Sequence, residues 1–418
     1  MKILILAYAC EPEAGSEYGV GWMTPLTLAK NYPKSHFYVL TRSRCKKKIE
    51  QALSELQLPN LHFLFYDIPK WLFYKNEMQS HWGEQINYLT WQLLVRRFVK
   101  KQHQVIDFDI IHHLTFNQYR TPSPGFWLDI PFIFGPIGGA ETIAPAFWED
   151  LEPHTKKKER IRTKGKDLKL FRWFTKRKGN KKVILCSSEE NMARLTPYAL
   201  NCEVRKLTAI AFSINDLQDI PKKEKVIGTK TVFEMLYAGK ALDWKGIHFF
   251  LKAVKMAFPQ KETDDWAIKL VGIRFKDEQE KVMRWVNELS LSKHVTLIPF
   301  IQRADLLKMM RECSLHVYPA FRDSGSMSVL EASALGCPTI CFDAGGQDVF
   351  PDDVLLKVPV KKDYESTLEA FANKLRFAFV NQNEIIEMGL RSKEWVTQHL
   401  TWERKAGEFM EIYKDLLE

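Results

Sequence analysis

Pro319-Ala-Phe-Arg-Asp-Ser-Gly-Ser-Met-Ser-Val-Leu-Glu-Ala-Ser-Ala-Leu-Gly-Cys-Pro338 is the stretch on which the reading of this chain turns. It lies between two short apolar runs, Leu315–Tyr318 and Pro338–Phe342. Its pattern is a strand end, a loop through Gly325, and a helix that opens on small residues. The first turn of such a helix has backbone N–H groups without intrahelical partners and carries the positive end of the helix dipole, which suits a diphosphate. Ser324, Gly325, Ser326 and Met327 line that opening. Asp323 precedes it, and Glu331 follows Asp323 by eight positions, about two turns into the helix. Carboxylates accept hydrogen bonds without donating, so the pair suits sugar hydroxyls, one at the sugar end and one at the ribose end. The alternative is an N-cap Asp followed by a surface Glu.

Around this stretch, short apolar strands alternate with amphipathic segments. Upstream, strand Thr231–Tyr237 leads to helix Lys245–Phe258, strand Ala267–Val271, helix Asp277–Leu289, strand Val295–Ile298 and helix Arg303–Arg311. Downstream, Tyr364–Glu418 reads as helical. The first half has the same rhythm: strand Ile3–Tyr8, helix Gly19–Asn31, strand His36–Thr41, helix Arg44–Leu56, strand His62–Tyr66, helix Gly83–Lys101, strands Ile110–Leu114 and Pro131–Phe134, a basic helix, and strand Val183–Ser187. Asp216–Lys230 is polar and reads as a linker. The expectation is an α/β chain of two Rossmann-like, doubly wound parallel-sheet domains, residues 1–215 and 216–398, with a closing helix over 399–418. Open parallel sheets bind ligands at the carboxyl ends of their strands. Two such domains facing across a cleft suit a reaction between two large substrates.

Three further sites carry chemistry. Tyr237-Ala-Gly-Lys-Ala-Leu-Asp-Trp-Lys-Gly-Ile247 reads as a strand, a Gly turn and a helix start, and carries the cations Lys240 and Lys245. Two ordinary surface lysines beside a turn would give the same pattern. Cys10-Glu-Pro-Glu-Ala-Gly-Ser-Glu-Tyr-Gly-Val-Gly-Trp22 is a glycine loop directly after the first strand, where backbone can approach a ligand closely. Gly15, Ser16 and Glu17 are its candidates, with a plain N-cap at Ser16 as the alternative. In Ile110-Ile-His-His-Leu114 and Phe134-Gly-Pro-Ile-Gly-Gly-Ala-Glu141, His113 or His112 ends a strand, Gly138 and Gly139 permit close approach, and Glu141 is an acceptor-side candidate. A core or capping histidine is the competing reading.

The Leu330-Glu-Ala-Ser-Ala-Leu-Gly-Cys-Pro338 run and its acidic partner resemble the signature of family 4 glycosyltransferases, which are retaining enzymes of GT-B fold. That signature has two glutamates with seven residues between them around a Gly-Phe-Gly-like turn. Here Asp323 stands for the first Glu and Ser324-Gly325-Ser326 for the turn. The Gly239–Gly246 loop is similar to the family's G-R-L-x-x-x-K-G element, with Lys240 in place of Arg and Lys245 matching the Lys. The resemblance implies a nucleotide-sugar donor, UDP- or GDP-linked, and Gly15, Ser16, Ser324, Gly325, Ser326, Met327 and Glu331 as donor contacts. It implies Lys245, Lys240 and Asp323 as catalytic groups. It also implies a His touching the donor sugar, for which His113 is the candidate, and Trp402–Leu417 as the helix that returns to the first domain. The acceptor side falls to Glu17, Gly138, Gly139 and Glu141. The expected activity is metal-independent hexosyl transfer to a glycan or lipid-linked acceptor in bacterial surface polysaccharide or glycolipid synthesis. The alternatives are a GT-B epimerase, a sugar-phosphate synthase or a non-catalytic nucleotide-sugar-binding protein.

Composition sets the remaining bounds. The 418 residues are 45% hydrophobic and 27% charged, as in an ordinary globular protein. The seven cysteines are scattered and odd in number, without zinc-ribbon spacing, and read as reduced thiols of a cytoplasmic protein. No Asp-x-Asp motif ends a strand, and neither a metal nor a cofactor is expected. Met1–Cys10 reads as a first strand and not a signal peptide. No stretch approaches the ~18 apolar residues of a membrane span. From Lys156 to Lys182, fourteen Lys and Arg face only Glu159 and Asp167, a net of +12 in a chain of total +10. This segment is read as a solvated basic face or a contact for anionic lipid at the inner face of a membrane; no nucleic-acid motif accompanies it.

Overall fold

The computed structural model describes residues 1–12, 14–74, 81–121, 123–165, 168–213, 232–259 and 265–418. The linker expected at Asp216–Lys230 lies outside them. In chain order the elements are β1 Lys2–Ala7, α1 Ser16–Asn31, β2 His36–Thr41, α2 Lys46–Ser54, β3 Leu61–Phe65, α3 His81–Ile106, β4 Ile110–Thr115, β5 Phe132–Ile137, α4 Pro153–Thr163, α5 Leu168–Thr175, β6 Lys182–Cys186, α6 Glu189–Leu195 and β7 Glu203–Lys206. They continue with β8 Phe233–Ala238, α7 Ile247–Ala257, β9 Trp266–Val271, α8 Lys276–Glu288, β10 Val295–Ile298, α9 Arg303–Glu312, β11 Leu315–Tyr318, α10 Met327–Ala334, β12 Thr339–Phe342, β13 Leu356–Val358, α11 Tyr364–Val380, α12 Gln382–His399 and α13 Trp402–Leu417.

These elements form two compact units. One comprises Met1–Ala140, Gly165–Ala209 and Trp402–Glu418, and the other Glu141–Lys164 with Ile210–Thr401. The first holds a seven-stranded sheet in the order β3-β2-β1-β4-β5-β6-β7, and the second a six-stranded sheet in the order β10-β9-β8-β11-β12-β13. The strand pairs are parallel in both. Both faces of each sheet are covered, which is why the strands are apolar throughout. In β1, Ile3, Ile5 and Ala7 pack with α1, α2 and α13, while Leu4 and Leu6 pack with α3 and α5. This is the two-residue alternation of a strand. Of the closing helices, α13 packs on α1 in the first unit. There the Tyr413 hydroxyl lies 2.7 Å from His112 Nδ1.

In the second unit, α7, α8 and α11 cover one face of the sheet and α9 and α10 the other. The helix after β8 therefore lies on one face and the helix after β11 on the opposite one, although the two strands are adjacent. The strand order reverses between them, and at such a point the loops leaving the carboxyl ends diverge and leave room for a ligand.

The basic stretch expected as one helix is two, α4 and α5, and the chain passes from the second unit to the first between them. Nor is it uniformly solvated, since Glu159, Arg162 and Lys182 are buried. Three short elements, α6, β7 and β13, went unread in the sequence. β7 and β13 are edge strands of four and three residues, too short to show a period.

Candidate donor site in the second unit

The loops leaving β8 and β11 carry the strongest candidates. After β8, the backbone turns at Gly239, and the Tyr237 hydroxyl donates to the Lys240 carbonyl at 2.8 Å, fixing the turn. A single 3-10 turn over Asp243–Lys245 follows and ends at Gly246, whose φ of +71° favours glycine. A Cβ there would also meet the Pro319 carbonyl at 2.0 Å, so this loop lies directly on the one after β11. Phe321 N donates to the Trp244 carbonyl at 2.9 Å and joins the two loops again.

That contact brings Lys245 and Asp323 together, 78 positions apart in sequence. The Lys245 ammonium donates to Asp323 Oδ2 and, at 3.0 Å, to the Tyr318 hydroxyl. Tyr318 itself donates to the same carboxylate oxygen. Asp323 Oδ1 accepts from Gly325 N at 3.1 Å, and the Asp323 carbonyl accepts from Gly346 N at 2.8 Å. Burial, with the Asp323 charge beside it, holds the Tyr318 hydroxyl well above its usual pKa, so it stays a neutral donor. Sequence reasoning missed Tyr318, although its position as the last residue of β11 at the switch point was a usable signal.

Beyond Asp323, Ser324, Gly325 and Ser326 lead into α10, which begins at Met327. No side chain caps this helix, so its first turn keeps its electropositive end. The Leu-Glu-Ala-Ser-Ala-Leu-Gly part of the signature is largely packing. Leu330, Ala332 and Ala334 are buried, and Gly336, at φ +71°, terminates the helix in the left-handed conformation. Glu331 is half-buried, and Arg303 Nε of α9 meets its Oε1 at 2.9 Å. Arg303 carried no signal in the sequence, since only the fold brings it to Glu331.

The segment Glu141–Lys164 supports this loop from within the same unit. Glu141 is fully buried, and its Oε2 accepts from the Ser324 hydroxyl at 2.7 Å. Arg162 donates to the Glu141 carbonyl at 2.8 Å and pairs with Glu159, which also pairs with Arg322. Phe147 stacks on Phe321 with ring centroids 4.2 Å apart. Asp150 draws on His248 at 2.9 Å, Lys252 at 3.0 Å and Tyr364 at 2.7 Å. Glu141, read from sequence on the acceptor side, thus touches the loop that carries Ser324.

Residues 219–378 match the family model for glycosyl transferases group 1. The match lies within the second unit, over less than half of the chain. Two curated relatives are similar over part of the chain. A D-inositol 3-phosphate glycosyltransferase of Paenarthrobacter aurescens is 23% identical over 183 residues, 44% of this chain and 44% of that protein. A protein of the same description from Pseudarthrobacter chlorophenolicus is 25% identical over 114 residues, 27% of each chain. The matches therefore span less than half the length of these relatives. Among solved structures, a sucrose-phosphate synthase from Thermosynechococcus elongatus has a TM-score of 0.67 at 15% identity, over 99% of this chain and 98% of that one. Anabaena HepE in complex with UDP and glucose has a TM-score of 0.64 at 14% identity, over 99% and 100%. These likenesses show the fold, which is GT-B.

Outside the matched residues, the remaining candidates lie in the first unit. Gly15 is exposed and caps α1, in which Ser16 is the first residue. Glu17 is exposed by surface area, yet its Oε2 accepts from Phe116 N at 3.3 Å. Desolvation, with the nearby Glu84 charge, pushes its pKa up to about 7. Gly138 and Gly139 are half-buried after β5. His113 has no solvent contact: its Nε2 lies 3.0 Å from the Thr115 carbonyl, and burial takes its pKa down to about 3. His112 is equally buried, between Tyr413 and the Gly135 carbonyl at 2.8 Å, with a pKa down to about 4. Both are placed as neutral core histidines, since strand β4 is covered on both faces.

Proposed function

We propose that this protein is a retaining, metal-independent glycosyltransferase that moves a hexose from a UDP- or GDP-sugar to a glycan or lipid-linked acceptor. The observation that carries this reading is the meeting of Lys245, Tyr318 and Asp323 at the carboxyl ends of β8 and β11, beside the uncapped start of α10. A departing nucleoside diphosphate gains negative charge, and preorganised cations and N–H dipoles aimed at it lower the barrier. Lys245 and Lys240 take that role, with the backbone of Ser324 to Met327 beside them. Glu331 accepts from the ribose hydroxyls, with Arg303 holding its carboxylate in place. Asp323 faces the donor sugar. That HepE holds UDP and glucose supports a UDP-sugar.

Retention follows front-face attack. The acceptor oxygen bonds to the anomeric carbon on the face from which the phosphate oxygen leaves, and the acceptor proton passes to that oxygen. No protein nucleophile takes part, and the core position of His113 leaves it no role in the step. Glu17, Gly138 and Gly139 form the acceptor side, and Gly15 and Ser16 approach the donor phosphates. The setting is surface polysaccharide or glycolipid synthesis at the inner face of a membrane, reached peripherally, since no helix among the described residues is long and apolar enough to cross one.

The test is a panel of nucleotide sugars screened by thermal shift, followed by donor turnover in EDTA and NMR of the released or transferred sugar. A stabilising donor whose sugar is released or transferred with its anomeric configuration kept supports the proposal. Inversion, or turnover that needs added Mg²⁺ or Mn²⁺, contradicts it.

A further inference from the structure

One surface of the first unit is exposed among the described residues. Ile86, Leu89 and Leu93 recur every three or four residues on α3 and are all exposed, Leu93 at 70%. Arg97 and Lys100 continue the same stripe and are exposed too. From Gln85 to Ile106 this helix contains no Asp or Glu. Trp71, 82% exposed, stands in the preceding turn. Asn87 pins that turn to α3, accepting from Tyr74 N at 2.8 Å and donating to the Tyr74 carbonyl at 3.1 Å. On the other side, Arg96 donates to the Trp127 carbonyl at 3.4 Å, and the Trp127 ring lies 6.0 Å from that of Trp173. Trp173 is 52% exposed on α5, one turn from exposed Leu170 and among exposed Lys169, Arg172, Lys176 and Arg177. From Leu168 to Lys182 there is again no acidic residue.

The chemistry of this face selects its occupant. A second copy docked through the same face would set like charges against each other. A nucleic acid would use the cations but not Leu93 or Leu170. An anionic bilayer uses both: indoles and leucines enter the headgroup boundary, and Lys and Arg meet lipid phosphates. We propose that the face formed by the Trp71 turn, α3 and α5 docks this protein on an anionic lipid bilayer through Trp71, Leu93, Leu170 and Trp173, ringed by Arg97, Lys100, Lys169 and Arg172. The inference rests on the membrane setting proposed above and not on the transfer chemistry. It moves the contact from the basic sequence run as a whole to one face of the first unit.

The experiment is cosedimentation of the full chain with vesicles of phosphatidylcholine alone or mixed with phosphatidylglycerol. Leu93→Asp/Trp173→Ser and Arg97→Glu/Lys169→Glu are the test variants, and Lys157→Glu/Lys158→Glu on α4 is the control. All six positions are exposed, and thermal melting verifies the fold. Both test variants are expected to bind mixed vesicles about tenfold or more weakly, since each removed charge or inserted apolar group acts at the headgroups. The control should stay close to the parent protein, and indole emission should shift to the blue with these two and not with the test variants. Equal sedimentation with both vesicle types overturns the proposal. So do unchanged binding by the test variants, and a dimer that Leu93→Asp dissociates. Competition by RNA that Leu93→Asp leaves unchanged assigns the face to nucleic acid and overturns it as well. Donor hydrolysis is measured in parallel: failure of vesicle binding with hydrolysis intact sinks this inference alone, whereas loss of hydrolysis in the parent protein sinks the transferase reading.

Discussion

The ammonium of Lys245 rests on the carboxylate of Asp323. The cation proposed for the donor diphosphate thus already has an anionic partner, and an incoming diphosphate competes with Asp323 for it. Asp323→Asn should raise the affinity for UDP or GDP about twofold to fivefold, the scale of a partly exposed ion pair. It should lower turnover as well, since the sugar end of the site loses its acceptor. Calorimetric titration with the diphosphates and steady-state kinetics measure both effects. Weaker diphosphate binding by the variant would show that Asp323 holds Lys245 in place instead of competing for it.

Lys245→Ala should reduce turnover by about 10²–10³, the usual cost of removing one preorganised stabiliser of developing charge. Lys240 is exposed, and the Tyr237 hydroxyl anchors its backbone and not its side chain, so Lys240→Ala should cost less. Turnover at the parent rate in Lys245→Ala would remove the Gly239–Gly246 loop from the active site.

Glu331→Ala should act on binding and leave the chemical step nearly untouched, because ribose hydroxyls are held alike in ground and transition states. Donor affinity is expected to fall about tenfold or more, on the scale of a charged hydrogen bond. Arg303→Ala should shift the same parameter by less. A large loss in kcat with an unchanged KM in Glu331→Ala would move this residue to the reacting centre.

The two buried histidines of the first unit should cost it stability in acid, while Glu17, raised to about 7, acts in the opposite direction. His112 and His113 are neutral in the fold, with pKa values brought from 6.5 down to about 4 and about 3 by burial. Below pH 6.5 the unfolded chain takes up protons that the folded chain refuses. The contribution of the two histidines is therefore complete above pH 6.5 and is lost as the pH falls toward 4. Each histidine costs about 1.4 kcal/mol per pH unit in that window. Urea unfolding at several pH values should show this slope, shallower in His113→Gln. An unchanged slope in that variant would mean His113 is protonated in the fold.

Phe147→Ala should destabilise the second unit by about 3–5 kcal/mol, the cost of a buried aromatic truncated to Ala. Its ring is buried among Phe321, Phe249 and Phe342. Because Phe321 belongs to the loop proposed to hold the donor, donor binding should weaken together with stability. A variant within 1 kcal/mol of the parent would show that the segment from Glu141 is not anchored there.

The two parallel sheets were legible because their strands are short apolar runs and their crossovers keep a helical period, as in β1, β2, β8 and β9. The α10 region was legible for a mixed reason: its small residues and Gly336 report close packing and a helix end as much as a ligand. What escaped were relations between distant residues. Lys245 and Asp323 were read as members of two loops, and only the adjacency of β8 and β11 makes them partners. Arg303 at Glu331, and Glu141 at Ser324, are set by tertiary packing that no local period records. His113 looked like a strand-end group because its polarity was visible while its burial under α3 and Phe134 was not.

The chain passes between its units after Ala140, Lys164, Ala209 and Thr401, so neither unit is a continuous stretch of polypeptide. This governs how the protein can be recombined. A chimera that imports residues 210–401 from a relative to change donor preference would leave the host's Glu141, Phe147 and Glu159 facing a foreign Ser324–Arg322 loop. A graft that also carries 141–164 keeps those contacts matched. For the same reason, splitting the gene near residue 215 would yield two fragments each missing part of its own core, and complementation would require both to be made together.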